Sequence, residues 1–281
     1  MFNAGSIRVG RIAGIAVDVH FSFVLVLAWG AWQGWAQERT IASALYGILA
    51  IMLMFACVLL HELGHALQAR GLGLSVHSIV MLPIGGLAQL EKSPSHSWQE
   101  LSIALAGPVM NLGAAIVFGA WAYLLAPFSP GIWAQDLLLA TRGYPALIRY
   151  LFWTNLVLFL FNMIPAFPMD GGRVLRAGLA LITDYLSATR VAAWVGQGSA
   201  VLLALLGLFG GGTAGFRPNI VLILIALIIF AGAQYESIAV RRRRALVRYE
   251  AGDVCHPPER LLHPWDKVSL KLIRKLVREG S

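Results

Sequence analysis

The sequence predicts an α-helical polytopic membrane protein with about six transmembrane helices and a few short membrane-associated β-strands. Three observations lead to that class. Of 281 residues, 58% are hydrophobic and 13% charged, with a mean hydropathy of +0.71, too apolar and too poor in charge for a soluble globular chain. Apolar runs long enough for a helix to cross ~30 Å of hydrocarbon recur between short polar breaks. Two stretches, 5–19 and 71–91, instead alternate apolar and polar residues with a period of two, the signature of strand, and are too short to span a bilayer.

Along the chain, Ile7, Val9, Ile15, Val17 and Val19 alternate among Gly and Arg residues, so residues 1–19 are predicted to form surface strands, with Gly10 and Gly14 as turns or bulges. His20 to about Trp35 is a first helix whose Trp29, Trp32 and Trp35 suit an interfacial belt, and His20 at its mouth reads as an interfacial histidine rather than a ligand. After a turn at 37–40, a second helix runs from about Ile41 to Arg70. Residues 72–91 form a hairpin centred on Gly85 and Gly86. Non-helical backbone at this depth stands only where protein or water satisfies it, so the hairpin is expected to line a wet cavity or lie at the interface, with an edge that an extended peptide can join. His77 and His96 beside it have no ligand spacing and read as surface residues.

A third span, about Glu100 to Ala126, carries Ala106-Gly107-Pro108, small residues that predict close packing against the second helix. Residues 127–146 are a loop, and a fourth span covers about Ala146 to Ile164. Two more, about Ala188 to Gly207 and Asn219 to Gln234, are joined by Gly210-Gly211-Gly212. The six helices make one domain, 20–239, followed by a basic cytoplasmic tail, 240–281, whose amphipathic stretch at 268–277 reads as a solvated helix.

The net charge of +8 is gathered at the C-terminal end rather than interleaved with aromatics on one face, which points to membrane topology and away from nucleic acid. With both termini cytoplasmic, the exterior loops hold only Arg39, Arg142, Arg149 and Arg217 of the 22 Lys and Arg residues, so the positive-inside rule puts the termini in the cytoplasm. No cleavable signal peptide is evident at the start of the chain. Cys57 and Cys255 provide neither a disulfide framework nor a paired-thiol motif.

At the end of the apolar run Ile48 to Leu60 stands His61-Glu62-Leu63-Gly64-His65. Histidines four apart on a helix project about 40° from one another, so both imidazoles face one metal, and Glu62 lies where it can carry protons for a water molecule. A catalytic zinc ordinarily takes three protein ligands. A third histidine in the extended form of the motif would fall at position 71, which is Gly71. Glu91 and Glu100 lie in polar, surface-like sequence, and Asp184 reads as a solvated or capping residue. Asp170 is flanked by apolar helix and by helix-breaking prolines and glycines, and is the favoured third ligand. The chemistry so indicated is peptide hydrolysis by one Zn2+, with a membrane metal transporter or zinc-sensing protein as the alternative.

His61-Glu62-Leu63-Gly64-His65 followed by Asn162-x-x-Pro165-x-x-Pro168-x-Asp170-Gly171-Gly172 resembles the site-2 protease family of intramembrane zinc metalloproteases. The resemblance extends from Gly10-Arg11-Ile12-x-Gly14 through Leu82-Pro83-Ile84-Gly85-Gly86 and Ala106-Gly107-Pro108-x-x-Asn111 to about Ala239, and is closest to the branch containing the sporulation factor protease and archaeal homologues. It implies a six-helix membrane domain, zinc ligands at His61, His65 and Asp170, a catalytic base at Glu62 and a catalytic, substrate-holding role for Asn162. It is consistent with a transmembrane protein substrate such as a membrane-tethered transcription regulator or anti-sigma factor, and substrate contacts are expected at Gly85 and Gly86 of the hairpin edge and at Pro168. The chain departs from the family in two respects. Its last 40 or so residues are too few for a pair of CBS domains, and no insertion of PDZ size is present.

Overall fold

A computed structural model of the chain describes residues 5–83, 85–90, 94–125, 143–209 and 218–248, with the side chains of Leu90 and of 241–248 left out. Strands β1 (Ser6–Ile12) and β2 (Ile15–His20) are antiparallel and joined by Ala13 and Gly14, both at positive φ (48° and 78°). Two consecutive residues with positive φ turn the chain with the same hand as the strand twist. The register shifts between Arg8 and Gly10, a bulge where the glycines predict one.

Helix α1 (Phe23–Glu38) reverses into α2 (Ile41–Gly71) through Arg39, which sits in the left-handed region, and Thr40. The Thr40 hydroxyl accepts from the Ser43 amide at 3.1 Å and the Thr40 amide donates to Ser43 Oγ at 3.4 Å, a reciprocal cap that starts α2. Strands β3 (Val76–Leu82) and β4 (Gly85–Leu90) form the expected hairpin. A parallel pairing of β2 with β3, from Ala16↔Ser78 to Val19↔Met81, unites the two hairpins into one four-stranded sheet of order β1-β2-β3-β4. Local periodicity reveals the hairpins but carries no information about this long-range pairing across two helices.

Then follow α3 (Ser97–Leu125), α4 (Tyr144–Asn162), the short amphipathic α5 (Asp170–Leu179), α6 (Tyr185–Phe209) and α7 (Ile220–Arg248). Five of the described helices, α2, α3, α4, α6 and α7, are long and apolar enough to cross a membrane. The predicted first span, α1, has 16 residues and rises about 24 Å, less than a hydrocarbon core of ~30 Å. It packs tightly on α2: a Cβ on Gly34 would strike the Ser43 carbonyl, and one on Gly47 the Gly30 carbonyl. The sheet lies against these two helices, with Ile15, Val17, Ile79 and Met81 meeting Ile51, Phe55 and Ala66 in the largest core cluster. Apolar side chains such as Val201, Leu202, Leu227 and Ile228 cover the outer faces of α6 and α7, a surface suited to lipid. Most of the predicted loop at 127–146, the Gly210-Gly211-Gly212 turn, Glu91, Cys255 and the tail helix lie outside the described residues.

Candidate metal centre

On α2, His61 and His65 lie on one face, with ring centroids 4.7 Å apart and planes nearly perpendicular at 84°. Small residues bring α3 against this face. A Cβ on Gly64 would fall 2.7 Å from the Ala106 carbonyl, and one on Gly107 would stand 2.6 Å from His65 Cε1, so the close approach predicted for these helices is the one that encloses the histidines.

Asp170 comes from the far side. Helix α4 ends at Asn162, and the segment through Pro165 and the cis Phe167–Pro168 bond turns the chain so that α5 begins at Asp170, after Met169 in extended conformation. Here the glycines are steric necessities: a Cβ on Gly171 would lie 2.6 Å from the Ile164 carbonyl carbon, and one on Gly172 2.7 Å from the Phe167 nitrogen. The two helix breakers and two glycines thus fold α5 back onto the connecting segment at Ile164, Ala166 and Phe167 and bring its first carboxylate to α2.

The three side chains meet, as the sequence predicts. Asp170 Oδ2 stands 3.0 Å from His61 Nε2 and 3.0 Å from His65 Nε2, and the two nitrogens are 3.1 Å apart. All three residues are buried, and among the described residues they form the one group of metal-ligating side chains. Their outer hydrogen bonds show what the cluster can hold. His65 Nδ1 lies 2.7 Å from the Ile103 carbonyl, which only accepts, so Nδ1 carries the proton. His61 Nδ1 lies 2.8 Å from Asn111 Oδ1 and donates likewise. When both rings are neutral, this tautomer leaves each Nε2 a lone pair, and a carboxylate oxygen stands 3.0 Å from both. In that state three acceptors face one another and need a cation among them, and two imidazoles with one carboxylate are a donor set that fits zinc.

Glu62 points toward the sheet, where its Oε2 accepts from the Ala88 amide of β4 at 3.2 Å. A Cβ on Gly86 would collide with the Glu62 side chain, so the glycine makes room for the carboxylate under the hairpin. Gly85 takes a φ of +141° at the turn. Asn162 donates to the Leu158 carbonyl of its own helix at 3.0 Å, and exposed Pro168 abuts Gly232 of α7. His20 pairs with Ser22 at 2.6 Å, and His77 and His96 are exposed, in keeping with their reading as non-ligands.

Glu100 departs from its surface-like reading. It is buried, and Arg176 of α5 donates to its Oε1 from Nε at 3.0 Å and also from Nη2. Arg176 further pairs with Glu236 of α7, and Tyr185 donates to Glu100 Oε2 at 3.1 Å. Burial opposes the guanidinium charge, but Glu100 and Glu236 outweigh it and hold its pKa above the ordinary value. The partners are 76 residues apart in the chain, a separation that no local pattern reveals. Asn155, which bonds to Asn111 behind His61 at 3.1 Å, is a second residue the sequence reading passes over. Its signal is a polar side chain amid the apolar residues of a spanning helix.

The sequence profile of Peptidase family M50 matches residues 49–129 and 132–206, both histidines and Asp170 included. The chain belongs to peptidase family M50. Within the family it is 36% identical to a zinc metalloprotease of Methanocaldococcus jannaschii over 252 residues, which cover 90% of this chain and 66% of that protein. Stage IV sporulation protein FB of Bacillus subtilis is 28% identical over 127 residues, 45% of this chain and 38% of that one. Among solved structures, the site-2 protease from Methanocaldococcus jannaschii superposes with a TM-score of 0.55 at 36% identity, covering 83% of this chain and 95% of that one. The M50 chain described here thus spans just under two thirds of the length of the curated metalloprotease that it matches over most of its own.

Proposed function

We propose that this chain is an intramembrane zinc metalloendopeptidase that hydrolyses a peptide bond within or near a transmembrane segment of another membrane protein. The observation that carries this reading is the convergence of three metal-ligating groups, His61, His65 and Asp170, beside a carboxylate, Glu62, held at the edge of a sheet. These three residues hold the zinc, which when bound supplies a Lewis acid that acidifies water and polarises a carbonyl. Glu62 takes the proton from the attacking water and returns it to the departing amide nitrogen. Asn162 and Pro168, at the broken end of α4, contact the substrate.

A peptide bond inside a transmembrane helix is locked in its own hydrogen-bond ladder and must be unwound before it can be cleaved, which leaves backbone groups unpaired. β4 is the edge strand of the sheet, and its Ala88 amide donates to Glu62 instead of pairing within the sheet. An unwound substrate strand added along Gly85, Gly86 and the rest of β4 regains its lost bonds and lies across the catalytic carboxylate. With α1 counted as a short sixth span, the termini and the site lie on the cytoplasmic side, supported by the charge asymmetry of the loops. Arg149, counted among exterior loop residues, is buried within α4, which leaves fewer exterior charges still. By the family resemblance, the substrate class is a membrane-anchored regulator of transcription or an anti-sigma factor.

A transporter would need successive ligand groups across the membrane, and His61, His65 and Asp170 are the single such group among the described residues. Glu62→Gln separates the two readings. The protease reading expects the variant to keep its zinc and lose about 10²–10⁴-fold in cleavage rate of a membrane-embedded substrate in proteoliposomes. Undiminished cleavage, or zinc flux across the vesicle wall in the wild type, overturns it.

A further inference from the structure

Behind His61 runs a line of two buried side-chain amides, on α3 and α4. His61 Nδ1 donates to Asn111 Oδ1 on α3 at 2.8 Å, and Asn111 Nδ2 donates to Asn155 Oδ1 on α4 at 3.1 Å. Asn155 Nδ2 then donates to the Leu151 carbonyl at 2.9 Å and to Cys57 Sγ on α2 at 3.1 Å. Both asparagines are wholly buried, so no water replaces a partner that is lost.

The direction of such a line is not arbitrary. A carboxamide has one donor end and one acceptor end, and either can in principle face its neighbour. Leu151 O is a backbone carbonyl and accepts only. It claims the NH2 end of Asn155, and Cys57 Sγ, one helical turn before His61, takes the second hydrogen of the same group. Asn155 must then present its oxygen to Asn111, Asn111 must turn its NH2 toward Asn155 and its oxygen toward His61, and His61 must carry its proton on Nδ1. The lone pair of Nε2 is thereby aimed at His65 and Asp170. The second histidine reaches the same state in one step, since His65 Nδ1 meets the Ile103 carbonyl directly.

We propose that Asn111 and Asn155 are positioning residues that act in series, transmitting the polarity of the Leu151 carbonyl to His61 and holding it in the one tautomer and ring orientation that binds metal through Nε2. This rests on the metal-centre reading above and adds to it that a residue on α4, touching none of the three ligands, sets the affinity of the site. Bonds from the outer nitrogen of a metal-binding histidine raise its basicity and fix its ring, and losing one commonly weakens metal binding roughly 10–100-fold. Asn155 acts only through Asn111, so the two effects are not independent.

The test is a double-mutant cycle on the full chain in detergent, with Asn111→Leu, Asn155→Leu and the double variant. Zinc affinity is read by competition with a chromogenic chelator, and the thermal midpoint of each zinc-free protein is read alongside. The series arrangement expects each single variant to bind zinc about 10–100-fold more weakly, with the double variant no weaker than Asn111→Leu alone. Wild-type affinity in Asn155→Leu, or effects that multiply in the double variant, overturns it, whatever happens to the thermal midpoints. A second measurement needs neither variant. In 15N-histidine NMR spectra of the zinc-loaded wild type, with His61 assigned by its loss in His61→Gln, His61 must carry hydrogen on Nδ1 and metal on Nε2. Metal on Nδ1 sinks the proposal. A wild type that binds no zinc overturns the metal-centre reading itself and this inference with it, whereas strong wild-type binding that Asn155→Leu leaves unchanged overturns the relay alone.

Discussion

At the scale of the residue, the site is set as much by what is missing from side chains as by what is present. Gly107 stands where any Cβ would press into the His65 ring, and Gly86 where one would displace Glu62. His65 and Glu62 are each held by a partner on another element and by an absence opposite them. Gly107→Val should therefore act on metal binding beyond its overpacking cost, which is about 1–3 kcal/mol for extra methyl groups in a filled space. It pushes His65 off the Ile103 carbonyl that fixes its tautomer. Gly113 on the same helix faces open space at its Cβ position and provides the control. The expected outcome is loss of zinc from Gly107→Val and full retention in Gly113→Ala, measured by metal analysis after gel filtration. Equal zinc content in the two would refute the steric account.

At the scale of the element, the β3–β4 hairpin and the α4–α5 break each do something a regular transmembrane helix does not. The break delivers Asp170 because Gly171 and Gly172 let α5 fold against Ile164, Ala166 and Phe167. The hairpin brings the edge strand β4 beside Glu62, while His61, His65 and Asp170 come from other elements. Strand addition at this edge predicts that deleting Gly85 and Gly86 abolishes cleavage of a membrane substrate although zinc stays bound. Turnover that survives the deletion at the wild-type rate would reject that role for β4. Both elements are legible in the sequence, one as period-2 alternation between helical runs and the other as paired prolines followed by Asp-Gly-Gly. The joining of the two hairpins through the parallel β2–β3 pair is not, since strand partners about 60 residues apart leave no mark on local periodicity.

At the scale of the whole molecule, the buried pair of Arg176 and Glu100, joined by half-buried Glu236 and more exposed Tyr185, ties α3, α5, α6 and α7 together. Burying these charges is costly, and removing one partner strands the others. Arg176→Met leaves Glu100 uncompensated and is expected to destabilise the protein by about 3–5 kcal/mol, whereas the double variant Arg176→Met/Glu100→Met should recover much of that loss because no lone charge remains. Thermal unfolding in detergent checks both. A single variant as stable as the wild type would show that the cluster contributes nothing to holding the helices together.

What the sequence by itself determined is the chemistry and the class of fold. Hydropathy names the solvent, the period of alternation separates strand from helix, and the spacing His61-Glu62-x-x-His65 puts two imidazoles and a carboxylate within about one helical turn. These are local properties, written within a few residues of where they act. Only the tertiary structure decided which distant groups complete them: Asp170 beside the two histidines, Ala88 for Glu62, the Ile103 carbonyl and Asn111 for the two imidazoles, and Arg176 for a glutamate that reads as surface. Each of those pairings joins groups far apart along the chain, and such a contact becomes visible only once packing has brought the helices together.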